Sequence, residues 1–199
     1  PAYLKYRFDS FYPGGRMWLI RAWRNGEIKT SARLGQILFS CVTCRNCAET
    51  CAIPEVRDRL VDVFIEARAE MVEQGIIPPE VRDYFKALSV NGNPYKLPAD
   101  ERAKWAEGLN LPEFAGQEYL FYVGDEGAFD ERGKRMARSG AGLMLRAGVS
   151  FGILGAEEIS DGNDVLALGE KGLSARLTEQ NIALMKGRGV KKVIALSPH

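Results

Sequence analysis

The sequence lacks several features that define common classes of protein. It has one histidine in 199 residues, and its 27 basic and 26 acidic residues leave a net charge of +1. Because nucleic-acid-binding domains usually present a strongly basic face, this balance argues against a nucleic-acid partner. No apolar run approaches the roughly 20 residues that a membrane-spanning helix needs. The composition is otherwise that of an ordinary globular protein, with 46% hydrophobic residues.

Cysteine is absent from the chain except in one short segment. All four cysteines lie between Cys41 and Cys51, spaced C-x2-C-x2-C-x3-C. This spacing is typical of ferredoxin-type ligation of [4Fe–4S] clusters. In such motifs the first three cysteines wrap one loop around three irons, and the fourth begins a helix and serves another cluster. We therefore predict that the cluster ligands are Cys41, Cys44, Cys47 and Cys51.

Two other uses of clustered thiols fit the sequence less well. Structural zinc sites usually pair two cysteine knuckles across an intervening segment, and the spacing here leaves no such segment. A disulfide framework is typical of small secreted domains, whereas a chain near 200 residues can build a core without cross-links. Clustered free thiols suit a reducing compartment, so a cytoplasmic location is expected.

The number of ligands raises a further expectation. Each [4Fe–4S] cluster takes four thiolates, and the sole histidine, His199, lies at the far end of the sequence. Two clusters would therefore need ligands from outside this chain. Because the sequence starts at Pro1 and stops just after a strand-like run, we expect it to be part of a longer polypeptide.

The first part of the chain has the periodicity of helices. Apolar spacing, turn residues and caps predict helices at 16–24, from Thr30 as N-cap to residue 40, and at 54–74, 79–90 and 100–107. Gly75 is expected to follow the third of these, which should be the longest. Trp18 and Trp23 are expected in the core. Arg16 and Arg24 could lie near an anionic cluster, but solvated surface arginines are the interpretation that the sequence favours.

The second part alternates between strands and helices. Short apolar runs predict strands at 119–123, 149–154 and 192–196, with helices at 130–147 and 173–186 between them. This order implies a parallel sheet with right-handed crossovers. The expected organisation is a helical ferredoxin-like domain over residues 1–112, followed by a parallel α/β domain over residues 113–199.

With both halves in view, the chain resembles the iron–sulfur subunits of the heterodisulfide reductase D-type group. This group includes the iron–sulfur subunits of anaerobic glycerol-3-phosphate dehydrogenase and of glycolate oxidase. Cys41 to Cys51 matches the second cysteine motif of their helical domain, and the segment from Tyr12 to Arg16 resembles the group's stretch between the two motifs. The resemblance implies two [4Fe–4S] clusters, completed by cysteines upstream of residue 1. Cys41, Cys44 and Cys47 would share one cluster, and Cys51 would complete the other.

The chain departs from this group in two places. Ala52 follows Cys51 where the ferredoxin motif usually has proline. The α/β half resembles the group's Cys-Cys-Gly domain but has none of its cysteines: Asp125, Ser160 and Asp161 lie at or near positions where the group has them. Serine and aspartate are poor ligands for an iron–sulfur core. We therefore expect this domain to have kept the fold and lost its own cluster.

The resemblance implies an electron-transfer component of a multi-subunit oxidoreductase, without substrate chemistry of its own in this stretch. Expected partners are oxidoreductase subunits of flavin, ferredoxin or hydrogenase type, with membrane association, peripheral at the inner face, only through them. Two alternatives stay open: a catalytic domain that uses the loop carboxylates Asp125 and Asp161, and a structural subunit held together by a metal. Backbone N–H groups between Val42 and Glu49 are the expected donors to cluster sulfur, with Arg45 as a local positive charge.

Overall fold

A computed structural model describes residues 2–197. The described chain forms two compact units. The first covers the described part of Pro1–Asp83 together with Asp164–Lys171, and the second covers Tyr84–Asn163 with the described part of Gly172–His199. The second unit begins earlier than residue 113, so the predicted domain boundary stays a prediction.

The described residues contain far more helix than strand. The α-helices are α1 (Ala2–Tyr6), α2 (Pro13–Arg24), α3 (Ala32–Phe39), α4 (Asn46–Glu49), α5 (Pro54–Arg57), α6 (Leu60–Glu73), α7 (Pro79–Asn91), α8 (Gly124–Phe129), α9 (Glu131–Arg146), α10 (Asn163–Ala167) and α11 (Lys171–Gly187). Short 3₁₀ helices are Asp9–Phe11, Ala99–Ala106 and Gly155–Glu157. The strands are β1 (Tyr119–Tyr122), β2 (Phe151–Gly152) and β3 (Val193–Ala195). None of the helices within residues 2–197 is long and apolar enough to cross a bilayer.

The core of the first unit forms where α2, α3 and α6 meet. Apolar residues recur on one face of each helix at the spacing of about 3.6 residues per turn, so each helix buries one stripe. The buried side chains are Ile20, Trp23, Leu34, Leu38, Leu60, Phe64, Ala67 and Met71. Gly75 has a φ of +72° just after α6, as the expected C′ glycine should.

The first unit also corrects several predictions. Ser31, not Thr30, caps α3, because its hydroxyl accepts from the Leu34 amide, while the Thr30 hydroxyl accepts from the Trp23 indole. The predicted helix over 54–74 is divided at residues 58–59 into α5 and α6, and α11 is longer than either. Trp18 is 66% exposed, so its expected place in the core is wrong.

The second unit contains a small parallel sheet with strand order β2-β1-β3. Leu120 pairs with Gly152 on one side and Val193 on the other. The central strand β1 is buried, and its Phe121 packs edge-to-face on Trp105 and on Phe151. The parallel α/β arrangement is confirmed, although α8 and α10 were not predicted and the helix at 100–107 is a 3₁₀ helix with buried Trp105.

Candidate functional site

The cysteine segment begins where α3 ends and lies against the helices of the first unit. Cys41 follows the α3 cap residue Ser40, and Cys47 is in the short helix α4. Cys51 lies between α4 and α5, three residues before the latter, so it does not begin a helix as expected. All four cysteines are free thiols.

The loop has an unusual backbone. Thr43 and Arg45 have φ values of +47° and +59°, a left-handed conformation that non-glycine residues seldom adopt. Such a backbone can direct successive N–H groups toward one anion, as in many iron–sulfur sites. Within the described chain, the N–H groups of residues 42–47 donate to no carbonyl. The Glu49 N–H donates to the Arg45 carbonyl, so this end of the predicted donor set is occupied within α4.

The four cysteines line one cavity of about 440 Å³ in the first unit. This volume falls within the range of about 300–1,000 Å³ that is typical of ligand sites. Residues from the start of the chain, including Tyr3 and Tyr12, form another part of the wall. Among residues 2–197, no three His, Cys, Asp or Glu side chains are grouped so as to hold a single metal ion. Soft thiol donors around a cavity of this size fit an iron–sulfur group.

Two buried arginines hold the chain segment that leads into the loop. The Arg16 guanidinium donates to the Ile37 carbonyl at 3.1 Å and to the Ser40 hydroxyl at 2.8 Å. Arg68, on α6, donates to the carbonyl oxygens of Leu38, at 3.1 and 2.9 Å, and of Cys41. Both arginines therefore fix the end of α3, and with it the position of Cys41.

Arg68 also reaches a third segment of the first unit. Its guanidinium donates to the Ala167 carbonyl at 2.6 Å. Gly169, with a φ of +90°, lies against the Arg68 backbone, where a Cβ atom would come within 2.6 Å of the Arg68 carbonyl carbon. Only glycine fits this contact without a backbone shift. The close approach brings residues 164–171 onto α6 beside Arg68.

The thiols and guanidinium groups are close enough to affect each other. Burial raises the pKa of the Cys47 thiol, and the negative charges of Cys41 and Cys44 raise it further. Burial lowers the pKa of Arg16, whereas Cys41 and Cys47 act in the opposite direction. Burial also lowers the pKa of Arg68, again opposed by Cys41. Cys41, Cys44 and Cys47 thus form one electrostatic group.

The sequence identified the cysteines but not their surroundings. Arg16 is 3% exposed, so the expectation of a solvated arginine is wrong for this residue. It is correct for Arg24, which forms a surface ion pair with Glu70. Arg68 was not singled out at all, since its position within the apolar stripe of α6 was the only available signal. Arg45 is exposed at the loop, as expected of a modest local charge.

The carboxylates of the second unit are part of a different polar cluster. Arg102 forms ion pairs with Asp125 and with Glu158, the latter at 3.4 Å. Glu158 also accepts from the amides of Val123 and Gly124, at 3.2 and 2.9 Å. Sequence reasoning missed both Arg102 and Glu158, because their pairing joins segments that are 56 residues apart.

Burial determines the acidity of this cluster. It raises the pKa of Glu158 to about 7, against the opposing effects of Arg102 and the two backbone amides. It also raises the pKa of Asp125, opposed by Arg102 and by a hydrogen bond from Ser160. Asp161 accepts from the Asn163 amide and shapes a turn. The two aspartates proposed as catalytic residues are thus engaged in structural contacts, which favours the scaffold interpretation of this region.

Comparisons with known proteins agree with the cysteine loop. The chain is 34% identical to the probable iron–sulfur-binding oxidoreductase FadF of Bacillus subtilis over 173 residues, 81% of this chain and 24% of FadF. It is 34% identical to the EtfAB:quinone oxidoreductase of Syntrophomonas wolfei over 172 residues, 82% of this chain and 24% of that protein.

A third similarity is to the D-type subunit of the dihydromethanophenazine:CoB–CoM heterodisulfide reductase of Methanosarcina mazei. The identity is 25% over 162 residues, 79% of this chain and 38% of that protein. The chain is a homologue of heterodisulfide reductase-like iron–sulfur oxidoreductases of the D type. No protein-family profile and no solved structure matches it. The chain spans about a quarter of the length of the first two relatives.

Proposed function

We propose that the chain is an electron-transfer part of a multi-subunit oxidoreductase, with a [4Fe–4S] cluster at the cysteine loop. The observation that carries this proposal is the convergence of four free thiols on one cavity, beside a loop with unbonded N–H groups. The homology to proteins named iron–sulfur-binding oxidoreductase and heterodisulfide reductase supports it. The cluster would supply reversible one-electron transfer.

We assign Cys41, Cys44 and Cys47 to one cluster and Cys51 to a second. The charges that act on Cys47 are those of Cys41 and Cys44, which supports a shared site for these three. Cys51 lies on the far side of α4, where its thiol is 3.6 Å from the Ile53 carbonyl. The remaining ligands of both clusters would come from cysteines outside this stretch.

The protein groups around the loop have defined tasks in this proposal. The N–H groups of residues 42–47 would donate hydrogen bonds to sulfur, which stabilises negative charge there. Helix α6 and its apolar neighbours limit access of water to the cavity from one side, with Leu60 and Phe64 in its wall. Arg16 and Arg68 fix the entry of the loop through the end of α3.

The second unit is proposed to be a scaffold without a cluster. Asp125 and Ser160 replace potential thiolate ligands, and the Asp125 carboxylate is bound by Arg102. We propose partners among oxidoreductase subunits of flavin, ferredoxin or hydrogenase type, a cytoplasmic location, and membrane association only through such partners. The name of one relative, EtfAB:quinone oxidoreductase, supports a redox partner of this general kind.

The decisive experiment uses anaerobically purified full-length protein. Iron, acid-labile sulfide and zinc are quantified per chain, and an EPR spectrum is recorded after reduction with dithionite. About eight irons and eight sulfides with a spectrum of two interacting clusters would support the proposal. About four of each would overturn the assignment of Cys51 to a second cluster. Zinc without sulfide would overturn electron transfer and favour a structural metal.

A further inference from the structure

We propose that Arg16 and Arg68 are built-in counter-charges of the iron–sulfur site, and that they raise its reduction potential. This inference rests on the proposed function and goes beyond it, because it assigns a role to two residues outside the cysteine motif. The roles of both residues are those of positioning and electrostatic tuning. Neither is a ligand.

The first step concerns the isolation of the two charges. Arg16 is 3% and Arg68 1% exposed. Throughout residues 2–197, no Asp or Glu forms an ion pair with either guanidinium. Their hydrogen-bond partners are neutral carbonyl and hydroxyl oxygens. Burying a charge without a counter-charge is costly, so a negative partner is expected nearby.

The second step identifies that partner. The negative charges that act on Arg16 are those of Cys41 and Cys47, and the one that acts on Arg68 is that of Cys41. The two arginines act unfavourably on each other, since Arg16 is also among the charges that affect Arg68. The interior of the first unit therefore reaches charge balance only when the cysteine side of the cavity is negative. Thiolates that hold an iron–sulfur core meet this requirement.

The third step is the consequence for electron transfer. Taking up one electron adds one negative charge at the cluster. Fixed positive charges nearby favour that state by Coulomb attraction, and the attraction is weakly screened because both guanidinium groups are buried. The electron comes from the redox partner, or from a mediator in a titration, and no proton transfer is required of either arginine. Removing one charge should therefore make reduction harder.

The same residues also hold the backbone, so the test must separate charge from shape. Arg16→Gln and Arg68→Gln remove the charge and keep some polar contact. Arg16→Lys and Arg68→Lys keep the charge but cannot reproduce the full set of hydrogen bonds. Arg21→Gln is the matched control, because Arg21 lies on the same helix as Arg16 but is exposed.

The experiment is an anaerobic redox titration of full-length protein followed by EPR. At the wild-type midpoint, the ratio of reduced to oxidised cluster should fall about tenfold in each Gln variant. This corresponds to a midpoint about 59 mV more negative for a one-electron couple. The Lys variants and Arg21→Gln should stay within about twofold of the wild type.

Two results would overturn the inference. One is a wild-type midpoint in both Gln variants with full iron and sulfide content. The other is equal loss of the cluster from the Gln and Lys variants, which would show that the backbone hydrogen bonds alone matter. Loss from the Gln variants with retention in the Lys variants would support it. Failure of the proposed function is recognised separately, by a wild-type protein without acid-labile sulfide or a reducible EPR signal.

Discussion

Both compact units bury arginine, but they neutralise it in opposite ways. In the second unit, Arg102 pairs with two carboxylates of the same chain. In the first unit, Arg16 and Arg68 bond to neutral oxygens, and the charges that act on them come from cysteines. The comparison indicates that the second unit is electrostatically complete by itself, while the first is built to receive a negative group. The predictions below test this difference, from the largest effect to the smallest.

The largest difference should appear when a ligand is removed. Replacement of Cys44 by Ala in full-length protein should remove about four irons and four sulfides per chain, because one cluster loses a thiolate. Asp125→Asn, in the second unit, should leave the iron content unchanged. Iron and sulfide analysis with EPR of both variants gives the answer. Equal loss from the two variants would contradict the proposal that the second unit carries no cluster.

The second prediction breaks the ion pairs of the second unit. Arg102→Met leaves two buried carboxylates without a counter-charge, so the free energy of unfolding should fall by about 3–5 kcal/mol. Addition of Asp125→Asn and Glu158→Gln should recover most of that loss, since no uncompensated charge remains. Urea unfolding, monitored by circular dichroism, measures both effects.

The control for this experiment is Lys104→Met in the same 3₁₀ helix. Lys104 pairs with Glu101 at the surface, and exposed ion pairs contribute about 0–1 kcal/mol. A loss in Arg102→Met no larger than in Lys104→Met would show that the buried cluster is not held by charge. The iron content of Arg102→Met should stay at the wild-type level, because its partners lie in the second unit.

The third prediction uses pH. Burial raises the pKa of Glu158 from 4.5 to about 7. The folded state then binds the proton more tightly than the unfolded state, so this contribution to stability is fully present below about pH 4.5 and is lost as the pH rises to about 7. Relative to Glu158→Gln, the wild-type free energy of unfolding should fall by about 3 kcal/mol over that range.

The pH experiment has a neighbouring control. Glu157 forms an exposed ion pair with Arg188, so the difference between the wild type and Glu157→Gln should vary little with pH. Urea unfolding at several pH values gives the curves. A wild-type advantage that grows with pH would show that Arg102 dominates over burial and holds the Glu158 pKa low.

How far the sequence predicted these features depended on how local their cause is. The cysteine spacing, the cap glycine Gly75 and the alternation that implies a parallel sheet are encoded within a few residues, and the structure confirms the glycine and the sheet. The assignment of the four cysteines as ligands stays a prediction. The break at residues 58–59 was missed, because apolar residues continue at helical spacing across it.

The burial of charged residues was beyond local reasoning. Arg16 and Arg68 look like surface residues in sequence, and only the meeting of α2, α3 and α6 places them inside. Arg102 and Glu158 meet across 56 residues for the same reason. Their partners are defined by tertiary packing, and a single sequence contains no periodic signal for it.

The smallest effect concerns a neutral partner in the first unit. The Ser40 hydroxyl accepts from Arg16 at 2.8 Å and donates to the Ile37 carbonyl at 2.6 Å. Ser40→Ala should lower the free energy of unfolding by about 1–2 kcal/mol, because Arg16 loses one of two acceptors but keeps its charge environment. Ser139→Ala, which removes an exposed contact within α9, is the control and should change it by less than about 0.5 kcal/mol. Urea unfolding of both variants measures the difference. A loss as large as that of Arg102→Met would mean that Arg16 depends on its neutral partners as strongly as Arg102 depends on its carboxylates, and the contrast between the two units would fail.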